Sequence, residues 1–390
     1  MMARVYLDYN ATSLPRASAK EAIAAVMLAP ANASSVHTEG RAARAIVEDA
    51  RHQISVLIGA ETDAIFFTSG ATESNATVLS PEMELAGKPS RFDVLLLSDV
   101  EHPAVRAGGS FKPEQIEYVP VDANGVIVLG ALKEALAKHK SAGRRAFVSV
   151  MAANNETGVL QPLRAVADIV HAHDGVFHSD AVQVIGKIPF DLRESGADLV
   201  SITSHKLGGP QGVGAVVSAH RDTRLPAIMR GGGQERGRRQ GTESVAAIAG
   251  FAAAATEAGQ TLTPEGSRLG ALRAKIEEGI RSIAKDAVIF GDRAARLPNT
   301  TFFAAPGVTA EIALIALDLD GVAISAGSAC SSGKSAASPT LQAMGVTSEV
   351  GRCAMRVSTG WNTTDADVIQ FLNVWSKVYT SLKKSGARAA

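Results

Sequence analysis

At 390 residues the chain exceeds one ordinary domain, and its length suits two or three. Apolar residues make up 46% and charged residues 20%, a soluble globular composition with ample core. Lysine plus arginine equals aspartate plus glutamate at 39 each, so no global charge favours nucleic acid or a membrane.

The two cysteines, Cys330 and Cys353, argue against a disulfide framework and fit a reducing cytoplasm. Met1 to Asp8 lacks the long apolar core of a signal peptide. Val245 to Ala255 is the longest stretch of small apolar residues, and it is too short to span a bilayer. Size and composition suit an enzyme.

In chain order, Val5-Tyr-Leu7 reads as a short strand, and Ala17 to Leu28 has helical spacing that stops before Pro30. A polar loop covers Asn32 to Gly40. Arg41 to Ile58 is an amphipathic helix closed by Gly59. Strands are then expected at Ala64–Thr68, Val94–Ser98, Glu117–Val121, Phe147–Ala152, Val176–Ser179, Leu199–Thr203 and Val213–Val217. Helical patterns at Glu73–Ala86, Leu129–His139 and Leu163–His173 lie between them. Short apolar strands separated by helices indicate a largely parallel sheet covered on both faces.

A Gly/Arg-rich loop, Gly231 to Gly241, precedes an alanine-rich helix reaching about Glu257. Thr261 to Gly266 is turn-like and a candidate domain boundary. Helices over Arg268–Lys285, Glu311–Asp318 and Asp365–Leu382, with strands at Val288–Phe290, Thr300–Phe303 and Met355–Ser358, suggest a smaller α+β domain.

Several strand ends carry chemistry. Lys206 sits at a Gly/Pro-rich turn, where desolvation lowers an amine's pKa and suits a nucleophile or Schiff-base former; an ordinary turn lysine is the alternative. Thr68 to Asn75 opens a helix after a strand, which suits an anion or a simple cap. Asp180 closes the strand before Gln183; a buried carboxylate there needs a cation, either a protonated pyridine nitrogen or an arginine. His102 follows another strand and suits acid–base work, ring stacking or a turn. His171, His173, Asp174, His178 and Asp180 superficially resemble a metal cluster. Residues two apart on a helix point apart, however, and no His-x-x-x-His or Cys-x-x-Cys accompanies them. Met151 to Gly158 ends a strand with clustered amides. The three arginines of the Gly231–Thr242 loop suit an anion or another subunit. Cys330 lies among small residues that favour exposure and reactivity, whereas Cys353 precedes an apolar strand and reads as structural. Arg356 suits a bidentate clamp on a carboxylate, or an ion pair.

Taken together these segments resemble the cysteine desulfurases of the nitrogen-fixation and iron–sulfur-cluster type, class V aminotransferase relatives within the fold-type I PLP enzymes. The resemblance is carried by Tyr6-Leu-Asp-Tyr-Asn-Ala-Thr12, Asn32-Ala-Ser-Ser-Val-His37, Ser69-Gly-Ala-Thr-Glu-Ser-Asn75, Glu101-His-Pro103 and Asn154-Asn-Glu-Thr-Gly158. It continues through His178-Ser-Asp-Ala-Val-Gln183, Ser204-His-Lys206, the Gly231–Thr242 loop, Gly327-Ser-Ala-Cys330 and Arg356-Val-Ser358. Each is weak alone; the ordered set is highly specific. Ala33, Ala76 and the Ala336-Ala-Ser-Pro-Thr340 run depart from the family's usual proline, second asparagine and Glu-Pro-Ser.

The resemblance implies an α/β fold with a mostly parallel seven-stranded sheet. It also implies a large domain over residues 16–260 and a small one over 1–15 and 261–390. It further implies pyridoxal 5′-phosphate held by Lys206 as a Schiff base, with Asp180 on the pyridine nitrogen, Gln183 on the phenolic oxygen and His102 stacked on the ring, moving protons. Asn154 would orient substrate and cofactor. Thr72, Thr203 and His205 would hold the phosphate, with Thr242 reaching it from the other subunit of a homodimer. Arg356 would bind the carboxylate of L-cysteine, and Cys330 would take the sulfur as a persulfide, for a sulfur-acceptor or iron–sulfur scaffold protein. A selenocysteine lyase or another class V enzyme is the alternative, and a PLP-bound scaffold with a vestigial loop the non-enzyme reading.

Overall fold

The computed structural model describes residues 4–327 and 338–389, with side chains as far as Lys384. Cys330 lies outside the described residues.

A seven-stranded sheet forms the centre: β1 (Ile65–Thr68), β2 (Val94–Ser98), β3 (Ile116–Val119), β4 (Ala146–Ser149), β5 (Val176–Asp180), β6 (Leu199–Thr203) and β7 (Gly214–Ser218). Their spatial order is β1-β7-β6-β5-β4-β2-β3. All pairs are parallel except those of β7, which runs antiparallel to both neighbours, Gly214 opposite Thr203 and Val217 opposite Ile65. The continuous apolar run of β2 is buried at every position, as a strand covered on both faces must be. The seven expected strands are all present; Val94–Ser98 and Leu199–Thr203 fall as expected and the others differ by one to three residues at their ends.

Two expectations fail for physical reasons. Glu73–Ala86 is not one helix. The helix Ala71–Val78 stops before Pro81, and Glu82–Leu85 then pairs antiparallel with Lys88–Arg91. Ala86 and Gly87, at φ of 48° and 73°, make the left-handed turn between them, and Met83 is buried between exposed glutamates. The expected break at Thr261–Gly266 is also absent, because one helix runs from Val245 to Ile283 with Pro264 inside it. Arg16, its side chain 3% exposed, reaches across the proline to Glu257 and Glu265, both at 3.2 Å. These two ion pairs, together with apolar burial on either side, offset the lost helical hydrogen bond.

That helix joins two apolar clusters. Its first half packs Ile248, Phe251 and Ala255 against the large sheet. Its second half packs Leu272, Ile276 and Ile280 with Phe303, Met355 and Trp375. The latter cover an antiparallel sheet of β8 (Val288–Ile289), β9 (Thr300–Ala304), β10 (Ser325–Ala326) and β11 (Ala354–Ser358), in the order β8-β9-β11-β10. Val5–Tyr6 pairs in parallel with Val322–Ala323, and the chain then runs from this layer to the edge of the large sheet. Among the described residues, no helix is long and apolar enough to cross a membrane.

The Gly231–Thr242 loop is anchored by a buried ion pair. Arg51 donates from Nη1 and Nη2 to the two oxygens of Glu235, at 2.8 and 2.9 Å. Glu235 also accepts the Phe67 N–H of β1 at 3.0 Å. Glu235 and Arg236 hold left-handed backbone at φ of 49° and 57°, which non-glycine residues adopt only under constraint. Removing one partner of such a pair strands the other charge. Glu235→Ala should therefore cost about 3 kcal/mol or more of unfolding free energy. Chemical denaturation checks this, and a loss under about 1 kcal/mol would mean that solvent reaches Arg51 freely.

Candidate active site

The carboxyl ends of the parallel strands open into a cleft of about 480 Å³, the usual place for a ligand in an open α/β sheet. Ser69, Gly70 and Thr72 line it from the start of the helix after β1, His102 from the turn after β2, and Asn155 from the turn after β4. Asp180 ends β5, with Gln183 one turn later. Thr203 ends β6, His205 and Lys206 lie in the turn just after it, and Arg356 enters from β11. Strand order alone brings these distant stretches together.

Asp180 is 6% exposed. It accepts the Asn75 side-chain N–H at 2.8 Å and the Val182 backbone N–H at 3.0 Å. Both donors are neutral, and no ion pair to Asp180 is found among the described residues. His102 caps the short helix Pro103–Arg106, its Nδ1 accepting from the Ala104 N–H at 3.1 Å. Burial pushes its pKa down, Asp180 opposes this, and the Lys206 charge adds to it. Burial likewise lowers His205 to about 4, helped by Lys206 and Lys187. Both imidazoles are therefore kept neutral at neutral pH. His178, buried between the Ser149 and Ser201 hydroxyls at 2.8 and 3.0 Å, is lowered by burial to about 3. His171, on the helix Leu163–Ala172 and outside the cleft wall, pairs with Asp198 at 2.9 Å.

Lys206 Nζ donates to the backbone oxygens of Asn10 and Ala11 at 2.6 and 2.8 Å. The Asn10 oxygen also accepts from Gln183 Nε2 at 3.1 Å. The Asn10 side-chain oxygen accepts from Lys187 Nζ at 2.8 Å and from Asn299 at 3.1 Å. Arg356, 3% exposed, donates to the Asn155 carbonyl at 2.9 Å and pairs with Asp8 at 2.7 Å, while its buried Nε has no hydrogen-bond partner among the described residues.

Two expected site residues lie outside the cleft wall, and a third falls outside the described residues. Asn154 is not in the cleft wall. Its oxygen accepts the Glu156 and Thr157 N–H groups, each at 2.9 Å, and its amide nitrogen donates to Val100 O at 3.1 Å, so it organises the turn that presents Asn155. Thr242 lines a separate recess of about 120 Å³ that shares Ser69 and Gly212 with the cleft. Cys330 is outside the described residues. The adjoining residues are placed: Glu156, 6% exposed, accepts from the Ser338 and Thr340 hydroxyls. A Cβ on Gly327 would meet its Oε2 at 2.5 Å. Sequence reasoning assigned no roles to Asn10, Asn75, Asn155 or Lys187. Asn10, Asn75 and Asn155 lie inside quoted motifs, but Lys187 carried no local signal.

Fold and cleft together define an α/β enzyme with a lysine at the centre of its site. Residues 5–371 match the family model described as Aminotransferase class-V. A cysteine desulfurase of Gluconacetobacter diazotrophicus is 38% identical over 100% of this chain and 98% of its own. The cysteine desulfurase NifS of Azotobacter vinelandii is 37% identical over 94% and 90%. Among solved structures, a NifS-like protein from Rickettsia africae superposes with a TM-score of 0.87 at 30% identity, covering 97% of this chain and 99% of that one. The chain belongs to the class-V aminotransferase family, whose members work with pyridoxal 5′-phosphate on this fold.

The residues present fit that group. A buried carboxylate without a cation faces the cleft, as a protonated ring nitrogen requires. A helix N-terminus with Thr72 suits the phosphate, and Lys206 stands between them.

Burial raises Glu156 to about 7, against the opposing effects of Ser338, Arg356 and Thr340. A carboxyl that binds its proton more tightly when folded makes the protein lose stability as pH rises from the unfolded value, 4.5, to about 7. Glu156→Gln carries no such penalty. Its unfolding free energy relative to wild type should rise across that window and level off above it, as denaturation at several pH values would show. A constant difference would mean that Glu156 titrates normally.

Proposed function

We propose that this protein is an L-cysteine desulfurase, which converts L-cysteine and the Cys330 thiol into L-alanine and a Cys330 persulfide. The sulfur moves from substrate to enzyme and the hydrogen count is conserved, so no outside oxidant or reductant is needed. The observation that carries the reading is the meeting in one cleft of Lys206, Arg356 and a buried Asp180 that has no ion pair among the described residues. The relatives named cysteine desulfurase, matched over the full chain, support the choice of substrate.

Bound in this cleft, PLP supplies an electron sink for bond breaking at the substrate's α- and β-carbons. Lys206 is the amine that carries it and the group that moves the α-proton on release. Asp180, oriented by Asn75, keeps a proton on the ring nitrogen. Gln183 donates to the phenolic oxygen. His102 stacks on the ring as a neutral imidazole. Thr72, Thr203 and His205 hold the phosphate. Arg356 binds the substrate carboxylate, and Asn155, which lines the cleft beside the Asn154 turn, supports a role for that turn in orienting substrate. The Cys330 thiolate attacks the substrate sulfur.

The same reading covers assembly and place. Two copies form a homodimer, in which Thr242 approaches the phosphate of the other subunit from its recess beside Ser69. Residues 16–260 make the large domain, and 1–15 with 261–390 the small one that carries Cys330. The enzyme works in the cytoplasm and passes sulfur to an acceptor protein for iron–sulfur clusters or another thio-cofactor.

Lys206→Ala should remove the visible absorbance of the purified, PLP-loaded protein. An unchanged spectrum would sink the lysine assignment. Cys330→Ser should bind PLP and cysteine normally yet form alanine at least about a hundredfold more slowly. Alanine and sulfide are assayed with cysteine and selenocysteine side by side. Full alanine formation from cysteine would point to another nucleophile; activity confined to selenocysteine would favour a lyase.

A further inference from the structure

Lys187 is a second buried amine beside the site. It is 8% exposed and no carboxylate pairs with it among the described residues. Its Nζ meets two neutral amide oxygens instead, Gln183 Oε1 at 2.7 Å and Asn10 Oδ1 at 2.8 Å. Helix-like turn bonds, from Ile185 N to Ala181 O and from Ile188 N to Val184 O, bring residues four apart to one side, which sets Lys187 under Gln183.

A glutamine amide can sit in either of two senses, and its surroundings choose. Here both neighbours choose alike. The backbone oxygen of Asn10 only accepts, so the amide end facing it at 3.1 Å must be the NH₂. The oxygen end then faces the Lys187 amine, which donates to it. The second N–H of that NH₂ is left for the cleft that Gln183 lines. Lys187 fixes Asn10 in the same way: with the Asn10 oxygen taken by Lys187 and Asn299, its NH₂ donates to the Asn155 carbonyl and the Thr300 hydroxyl.

We propose that Lys187 is a positioning residue that locks the Gln183 side-chain amide with its N–H toward the cleft, so that the site selects a ring bearing an oxygen acceptor at that point. It rests on the reading above that PLP fills the cleft with its phenolic oxygen toward Gln183. Burial lowers the Lys187 pKa well below that of an ordinary lysine, and the nearby Lys206 and Arg356 charges act in the same direction. A neutral amine still donates two N–H bonds, the number it makes here.

The test compares two ligands on apoprotein: pyridoxal 5′-phosphate and its 3-deoxy analogue, which lacks only the phenolic oxygen. Calorimetric titration gives the ratio of their dissociation constants. Lys187→Met removes both donors while keeping the length of the side chain. The ratio should fall about tenfold in Lys187→Met, by as much in Gln183→Ala, and no further in the double variant. Lys187→Leu replaces the Met variant if melting of the apoprotein shows that the latter is unfolded. A merely structural lysine would weaken both ligands equally, so an unchanged ratio in Lys187→Met beside a reduced one in Gln183→Ala overturns the proposal. An unchanged ratio in Gln183→Ala instead overturns the placement of the phenolic oxygen on which it rests.

Discussion

The site is built around the saturation of one residue, Asn10. Its backbone N–H donates to the Ser358 hydroxyl, its carbonyl accepts from Lys206 and Gln183, and its side chain bonds Lys187, Asn299, Asn155 and Thr300. Residues from both sheets thus converge on one buried amide, 1% exposed. A buried polar group left without a partner costs about 1–3 kcal/mol, so such a hub admits few alternative arrangements. The Lys206 amine rests on this hub, and its position follows from the way the N-terminal segment crosses between the two layers.

The crossing is made rigid from the other side by the Val245–Ile283 helix. A proline near its middle would ordinarily mark a hinge. Here Arg16 bridges Glu257 and Glu265 over it, stacks on Trp361 with its guanidinium 5.5 Å from the ring centre, and donates from Nε to the Leu207 carbonyl at 3.0 Å. Leu207 follows Lys206. One buried arginine therefore couples the stiffness of the long Val245–Ile283 helix to the turn that carries Lys206. Gly208, at φ 102°, packs against the Arg16 stem, where a Cβ would come within 2.7 Å.

The strands were legible because each is a short apolar run bounded by turn residues, and period and length suffice for that. The motifs at their ends were legible as chemistry because a parallel sheet places successive carboxyl ends side by side. Two kinds of feature were not. Glu73–Ala86 mixes good helix formers such as Glu, Ala, Leu and Met with weaker ones, and only the Pro81 stop and the Ala86–Gly87 turn reveal the hairpin. Asn10 and Lys187 are 177 positions apart, so nothing local to either names the other. Asn154 and Asn155 show a third limit. Of these adjacent identical residues only Asn155 lines the cleft, and the backbone of the turn, not the residue type, decides which one does.

The neutral histidines constrain what the site does with protons. The Ala104 N–H can only donate, so His102 Nδ1 is the acceptor and the imidazole carries its hydrogen on Nε2. In that form the ring donates from Nε2 and has no lone pair there to take a proton. Uptake at Nδ1 would uncap the Pro103–Arg106 helix, a loss on the order of 1 kcal/mol, and burial adds to the cost of the charged ring. Asp180 lowers that cost, because its carboxylate favours a cation nearby. A cationic ring in the cleft would draw on the same carboxylate, so a positive charge on the ring and one on His102 compete for Asp180. His102 is therefore held as a neutral Nε2–H donor rather than as a store for a proton. The Lys206 amine is held differently, by two backbone carbonyl oxygens that can only accept from it.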